Sequence, residues 1–449
     1  MLIKSISGVR GLVETSFTLQ TVPPYANAVH KILSGGAIIL GRDSRPSGEE
    51  ISMKIMNELV RLGRNVIDCG IVPTPTVQFM VGETDSAGGI IVTASHNPIE
   101  WNGLKFVRED GVFFFPKECE ELYSLVGKST KNNLIPQAGM YWQEKNSIQK
   151  HIIHIAGLSC IDLNKIRQRK FKVVIDAVNG AGAVALPAML EALGCEVIQM
   201  NCTPSGEFTR GTEPLPENLL DLCQTVKDNK ADAGFATDPD ADRLAIVSEA
   251  GVPLGEEYTL VLAAEGYMKL KGTPETFVVN QSTSMALEKT AEKYGYKVVR
   301  ASVGEINVVK KMLELKSNFG GEGNGGIILK EAHLGRDSLV AVTLVLNRMA
   351  QDESPLSKIF SDLPQFKIIK DKVNLETIDI DSALINVKER FSNVDMNTED
   401  GIKFIWEDKW IHLRKSNTEP IMRIYAEAVE ASEALHLIKG VKSAFTQKN

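Results

Sequence analysis

The sequence predicts an α/β fold: three related mixed-sheet α/β domains plus a smaller C-terminal α+β domain, arranged around a central cleft. Three observations carry that expectation. Short β-branched runs alternate with apolar-periodic helical stretches, this pattern recurs along the chain, and each recurrence closes on a loop of unusual composition. At 449 residues the chain also exceeds one core, since about 150 residues per domain suggests roughly three.

In the first recurrence a strand AIILG begins at Ala37, RDSRPSGEE leads into a helix ending at Gly63, NVIDCG is a second strand, and GGIIVTA a third. The second reads FKVVIDAVNGAG, a helix AVALPAMLEALG, then CEVIQM and ADAGFAT, closing on DPDADR. The third reads ETFVVNQSTS, the helix MALEKTAEKYG, YKVVRASVG, the helix EINVVKKMLEL, and SNFGGEGNGG. After it the order changes: IKFIWEDKWIHLRKSNTEPIMRIYAEA alternates as strands do, and a helix follows around ASEALHLIKGVKSAF. The expected divisions are 1–145, 146–250, 251–365 and 366–449.

Composition excludes several classes. With 43% hydrophobic and 24% charged residues the chain has ordinary globular usage. A formal charge of -7 argues against nucleic-acid binding, which needs a surplus of Lys and Arg to neutralise phosphates. The opening MLIKSISGVRG lacks the apolar stretch of a secretory signal, and no run reaches the roughly 18 apolar residues of a membrane span. A cytoplasmic protein with no membrane partner is the expectation. Cys69, Cys119, Cys160, Cys195, Cys202 and Cys223 form no C-x-x-C pair, so their spacing indicates neither a zinc site nor a disulfide framework.

The loops carry the chemistry. In TDPDADR, Asp238, Asp240 and Asp242 alternate, and an extended loop would set the three carboxylates on one side. Such hard oxygens suit Mg²⁺, which is usually shared with phosphate oxygens. A solvated acidic turn is the plain alternative. An aspartyl phosphatase of the haloacid dehalogenase type is another, although Asp242 stands where that family prefers Thr or Val.

GGEGNGG fits G-x-G-x-x-G through Gly321, Gly323 and Gly326, but the β-rich IILKEAHLGRD after it opens no helix, against a dinucleotide site. A flexible loop is expected, offering Glu322 and Asn324 to hydroxyls; a plain Gly-rich turn is the alternative. RKSNTEP gathers Arg414, Ser416, Asn417 and Thr418 between strand-like runs, an arrangement suited to a phosphate dianion or to a self-satisfied hairpin. SGVRG sets Arg10 between glycines, where backbone can approach a ligand.

Ser95 sits in TASHNP, ahead of NGLKF. No G-x-S-x-G elbow is present, which disfavours a serine hydrolase. A phosphoryl group on Ser95 would bring about -1.5 to -2 charge, which a cation on the acidic loop would neutralise. Lys105 would carry a proton or touch phosphate and His96 would orient the loop, unless both are surface residues.

Taken in order, SGVRG, TASHNP with NGLK, DPDADR, GEGNGG and RKSNTEP resemble the α-D-phosphohexomutase family over nearly the whole chain. The resemblance implies an enzyme of carbohydrate metabolism, an intramolecular phosphotransferase interconverting hexose 6-phosphate and 1-phosphate. Hexose 1,6-bisphosphate would be its intermediate and activator. Ser95 would be kept as phosphoserine, with Mg²⁺ bound by that phosphate and by Asp238, Asp240 and Asp242, and Arg243 beside the transferring group. Lys105 would be the general acid/base, His96 would lie near the phosphoserine, and Arg10 would face the reaction centre. Glu322 and Asn324 would hold sugar hydroxyls, and Arg414, Ser416, Asn417 and Thr418 the non-reacting phosphate. The implied partner is a small-molecule sugar phosphate, bound by a monomer or homodimer.

Two positions depart from the family's pattern. Gly326 stands where bacterial members often carry a His, at the end of G-E-x-S-G-H, and Glu305 where some carry His or Tyr. The first removes a proton carrier and the second leaves sugar specificity open. Within the family, GEGNGG and the length are most similar to phosphoglucosamine mutases of the archaeal-like type, then to phosphomannomutase/phosphoglucomutase. A Mg-dependent sugar phosphatase and a non-catalytic sugar-phosphate binding protein are the competing readings.

Overall fold

A computed structural model describes residues 2–128, 137–376, 378–416 and 420–446. Asn417 and Thr418 therefore lie outside the described residues. Four sheets follow one another along the chain. In the first, Ser86–Val92, Ala37–Arg42, Val66–Ile71 and Tyr141–Gln143 run parallel, while Trp101–Arg108, Gly8–Leu12 and Ile3–Ser5 add antiparallel strands beyond Ser86–Val92. In the second, Ala233–Thr237, Lys172–Asp176 and Glu196–Met200 are parallel and Leu244–Ser248 is the antiparallel edge. The third sets Lys297–Ala301, Thr276–Asn280 and Phe319–Glu322 in parallel, then Gly326–Leu329 and His333–Arg336 antiparallel. The fourth is antiparallel throughout, from Lys367–Asn374 to Asp395–Asn397, with helices Ile380–Arg390 and Ala431–Thr446 on it. The expected fold class is the one observed.

Each of the first three sheets places its distinctive loop at the same point. The last parallel strand ends, the chain turns, and the next strand returns antiparallel: Val92 to Trp101, Thr237 to Leu244, Glu322 to Gly326. Loops at the carboxyl ends of parallel strands are where open α/β sheets bind ligands.

The helices pair the strands, and two of them carry no visible periodicity. Helix Thr74–Gly82 falls between the strands NVIDCG and GGIIVTA, where strand followed strand in the sequence reading. Every residue from Thr74 to Val81 is buried, so there is no polar face to set a helical period, and Pro75 in the first turn resembles loop punctuation. Helix Ser338–Gln351 is likewise buried from Ser338 to Ala350, within the apolar cluster that joins the second and third units. Among the described residues, no helix is long and apolar enough to cross a membrane. The six cysteines are free thiols, four buried and two partly so.

Candidate active site

The Ser95 loop is held from beneath by a buried arginine. Arg45, fully buried, donates to the carbonyls of Ser95 (2.7 Å), Asn97 (2.7 Å) and Pro98 (2.6 Å), and its Nε donates to Asp43 Oδ2 at 3.0 Å. Thr93 closes the cage by donating to Asp43 Oδ2 (2.6 Å) and accepting from the Ser95 amide (2.9 Å). Within it Ser95 adopts φ 51°, a left-handed conformation that costs a non-glycine residue about 1–2 kcal/mol. The strain persists because the surroundings over-determine it. Arg10 reaches the same loop, donating to Asn97 Oδ1 at 2.7 Å.

His96 follows, with Nδ1 3.5 Å from Ser95 Oγ and 3.2 Å from Arg243 Nη2. Burial, reinforced by Arg243 and Arg10, pushes its pKa down to about 3. The ring is thus neutral near pH 7 and can accept the Arg243 proton on Nδ1. Arg243 is also held by Glu213 Oε1 at 3.0 Å.

The acidic loop converges by turning rather than by extension. The Ala241 amide donates to the Asp238 carbonyl at 3.1 Å, with Pro239 second in the turn, and Ala241 takes φ 52°. Asp238, Asp240 and Asp242 are all fully buried. Each spends one oxygen on the protein: Asp238 Oδ1 accepts from the Arg243 amide (3.2 Å), Asp240 Oδ2 from Lys105 Nζ (2.7 Å) and Thr74 Oγ1 (2.8 Å), and Asp242 Oδ2 from Arg336 Nη2 (2.6 Å). The remaining oxygens, Asp238 Oδ2, Asp240 Oδ1 and Asp242 Oδ1, have no hydrogen-bond partner. One oxygen from each carboxylate lies within 4.8 Å of the others. Buried oxygens without donors are costly, and burial plus its two neighbours drive the Asp238 carboxyl well above the usual range. A hard divalent cation would satisfy all three, so the residues fit Mg²⁺.

Lys105 lies in strand Trp101–Arg108, 9% exposed, and its Nζ stands 3.7 Å from Asp242 as well. Burial opposes its charge, but Asp240 and Asp242 outweigh burial and raise its pKa, so Lys105 is an ammonium. The Asp240 carboxyl, despite its burial, is held below the usual range chiefly by Lys105.

Arg336 ties this loop to the third unit. Besides Asp242 it holds Glu322 Oε2 (3.0 Å) through Nη1 and Glu305 Oε2 (3.1 Å) through Nε. Glu322 Oε1 accepts from Asn280 Nδ2 (2.9 Å) and the Gly304 amide (3.0 Å). GGEGNGG is a tight β-hairpin rather than a flexible loop, with Glu322 paired to Gly326 and the turn closed by Asn324 Oδ1 accepting from the Gly326 amide at 3.2 Å. A Cβ at Gly326 would run into the Arg336 side chain. Arg336, pinned by three carboxylates, occupies the room that a His at 326 would need.

A cleft of about 420 Å³ opens between the units, lined by His96, Arg243, Glu322, Asn324 and Arg414 among others. From the fourth sheet Arg423, directly opposite Arg414 in register, also lines it, and Arg414 Nε is anchored to Asp400 Oδ1 at 2.8 Å. Ser416 is buried beside them. Sequence reasoning missed Arg45, Asp43, Thr74, Glu213, Arg336, Asn280 and Arg423; the one available signal was the charged RDSRP and GRD segments interrupting apolar runs.

Known proteins resemble this chain along nearly its whole length. Models of the phosphoglucomutase/phosphomannomutase alpha/beta/alpha domains I, II and III match residues 2–133, 149–251 and 255–366, and the C-terminal domain model matches 370–442. The chain is 32% identical to a probable phosphoglucosamine mutase of Methanopyrus kandleri, covering 96% of this chain and 95% of that one. It is 33% identical to a phosphoglucomutase/phosphomannomutase of Thermococcus kodakarensis, over 97% and 96%. A crystal structure of a phosphoglucomutase/phosphomannomutase family protein from Burkholderia thailandensis superposes with a TM-score of 0.86 at 24% identity, over 100% and 99% of the two chains.

Proposed function

We propose, since this chain belongs to the phosphoglucomutase/phosphomannomutase family of phosphohexomutases, that it interconverts hexosamine 6-phosphate and 1-phosphate through a phosphorylated Ser95 and a hexose 1,6-bisphosphate. The observation that carries the reading is the set of three buried carboxylate oxygens without hydrogen-bond donors, beside Lys105 and Arg243. In phosphoryl transfer the protein mostly positions groups and stabilises charge. Mg²⁺ on Asp238, Asp240 and Asp242 would neutralise phosphate oxygens when bound.

In the first half-reaction the sugar hydroxyl attacks phosphorus, a new P–O bond forms, and the bond to Ser95 Oγ breaks. Lys105, an ammonium, gives its proton to Ser95 Oγ and regains one from the sugar hydroxyl. Arg243, oriented by His96 and Glu213, stabilises the moving charge, and Arg10 steadies the loop through Asn97. The bisphosphate then turns end for end and returns its other phosphoryl group to Ser95. Arg414 with Ser416, Asn417 and Thr418 grips the phosphate at rest, while Glu322 and Asn324 accept sugar hydroxyls. The divisions 1–145, 146–250, 251–365 and 366–449 give each unit one of these loops. We place the reaction in the cytoplasm, in a monomer or homodimer, with no nucleic-acid partner.

Glucosamine phosphate is the preferred substrate because the cleft is lined by Glu256 and Glu257 as well as Glu322. Burial raises the Glu257 carboxyl well above its usual range even though Lys370 Nζ stands 3.8 Å away, a cost that a second ammonium, at the sugar's 2-position, would relieve further. The second reading, a phosphomannomutase/phosphoglucomutase, rests on the Thermococcus kodakarensis relative. Intact mass of the purified protein should show one phosphate, absent in Ser95→Ala together with mutase activity; undiminished turnover in Ser95→Ala would sink the mechanism. Kinetics with glucosamine, glucose and mannose 6-phosphates decide the sugar, and Glu257→Gln should lower kcat/KM for glucosamine phosphate selectively. Inorganic phosphate accumulating without isomerisation would instead mean a phosphatase, and ligand binding without turnover a binding protein.

A further inference from the structure

Where the first three units meet, two imidazoles and a carboxylate converge, and none of the three lines the cleft. His151 comes from helix Ser147–Ala156, His333 opens strand His333–Arg336, and Asp337 is the N-cap of helix Ser338–Gln351. His151 and Asp337 are completely buried, and the His333 side chain is 6% exposed. Nε2 of each histidine lies 3.1 Å from the same atom, Asp337 Oδ2.

These atoms are poorly satisfied as a hydrogen-bonded group. His151 Nε2 stands 3.1 Å from Oδ2 without a geometrically satisfied hydrogen bond. His333 donates from Nε2 to Oδ2, but its Nδ1 is also buried without a partner. Two imidazole nitrogens crowded on one carboxylate oxygen are what shared coordination produces. With metal–nitrogen and metal–oxygen bonds of about 2.0–2.2 Å, the edges of a tetrahedral site are roughly 3.3 Å, and each donor points at the ion instead of at its neighbour. Both observed Nε2–Oδ2 separations are close to that edge.

Two of the donors are also braced from behind, as metal ligands are. His151 Nδ1 is 3.1 Å from Thr76 Oγ1, and Phe79 stacks on the ring with centroids 4.6 Å apart. Asp337 spends Oδ1 on the amides of Leu339 (2.7 Å) and Val340 (3.3 Å), which leaves Oδ2 for the centre. Two imidazoles with one carboxylate favour zinc or a similar transition metal over Mg²⁺, which prefers oxygen alone.

We propose that His151, His333 and Asp337 form a structural site for a divalent transition-metal ion of the zinc class, distinct from the aspartate loop, with water as the fourth ligand. His333 gives up its Nε2 proton to solvent when the ion binds. The ion clamps the second unit to the third, with Thr76 and Phe79 of the first packed behind His151. It also fixes the corner from which Arg336, adjacent to Asp337, reaches Asp242 and Glu322.

The test uses the full chain, stripped with a chelator and returned to excess Mg²⁺ with limiting Zn²⁺ or Co²⁺. Elemental analysis should find one tightly held Zn²⁺ in the wild type and in Asp240→Asn. In His333→Asn the affinity should fall by more than the roughly 10–100-fold typical of losing an outer-shell partner. Co²⁺ should give the intense visible absorption of a four-coordinate nitrogen-containing site in the wild type, and this readout needs no variant. Zn²⁺ should raise the Tm of the wild type and not that of His333→Asn. Zn²⁺ lost in Asp240→Asn but kept in His333→Asn, a weak octahedral Co²⁺ spectrum, or no Zn²⁺ retained at all would overturn the proposal.

Discussion

In the first unit the strand Ser86–Val92 runs into the Ser95 loop; in the second its counterpart Ala233–Thr237 runs into the Asp238 loop. Both loops sit where parallel strands end, and each contains one non-glycine residue in left-handed conformation, Ser95 or Ala241. They differ in what completes them. Three carbonyls of the Ser95 loop converge on Arg45, a cation built into the chain, so this loop is finished in the protein alone. Three carboxylates of the Asp238 loop are held on their outer oxygens by Lys105, Arg243 and Arg336, while their inner oxygens have no donor. One loop is completed by folding alone, and the other would be completed by a cation. If Ser95 carries the phosphoryl group as proposed, that division is sensible: the covalent attachment point would stay fixed, and the charge that compensates it would come with the cation.

The largest expected effect tests the finished loop. Arg45→Met leaves Asp43 as a buried unpaired charge and three carbonyls without donors, so it should cost about 3–5 kcal/mol of stability. The displaced Ser95 should lower kcat by about 100-fold or more. Arg45→Lys should rescue neither, because a single ammonium cannot serve the carbonyls and Asp43 together. Urea unfolding and turnover measure both, and a normal kcat in Arg45→Lys would break the comparison.

The unfinished loop should behave in the opposite way. Chelation should abolish turnover while leaving the protein folded, and Mg²⁺ should raise Tm by mass action on the native state. Asp238→Asn removes a like charge from the buried triad, so it should stabilise the metal-free protein by about 0.5–2 kcal/mol while losing activity. Its Tm should respond weakly to Mg²⁺. A destabilised Asp238→Asn would mean that the triad is already neutralised without a cation.

A smaller effect is expected at the hairpin joining the two systems. Gly326→His, the residue that the resemblance leads one to expect here, must crowd the Arg336 side chain that Asp242, Glu322 and Glu305 hold. Overpacking of that kind costs about 1–3 kcal/mol, and kcat should fall rather than rise. An active, stable Gly326→His would show that Arg336 does not need the room beside position 326.

The same contrast explains what was legible in the sequence. The chemistry of each loop is concentrated in a few consecutive residues, so TASHNP and DPDADR are readable locally, as is the order of strands around them. The supports are not local: Lys105 meets Asp240 across 135 positions, Arg336 meets Asp242 across 94, and Thr74 meets Asp240 across 166. Nothing in the spacing of RDSRP announces that Arg45 will hold carbonyls 50 residues on. The helix Thr74–Gly82 escaped for the converse reason: buried on all sides, it has no polar face to mark its period.

The smallest expected effect concerns the proton balance of the finished loop. Burial, with Arg243 and Arg10, lowers His96 to about 3 while Ser95 is unphosphorylated, so in that state it is neutral near pH 7. A histidine depressed in the native state contributes stability that is present above its unfolded pKa of about 6.5 and is lost as pH falls through about 3. Because its side chain remains 34% exposed, solvent screens the interaction and the contribution is small. Between pH 6.5 and 3, His96→Gln should therefore lose slightly less stability than the wild type. Between pH 6 and 8 its kcat/KM profile should keep the same shape at a reduced height, as expected for a ring that orients Arg243 without taking a proton. A limb of the pH profile that disappears in His96→Gln would instead assign the ring a proton-transfer role, and the Ser95 loop would then depend on its ligand's charge as the Asp238 loop does.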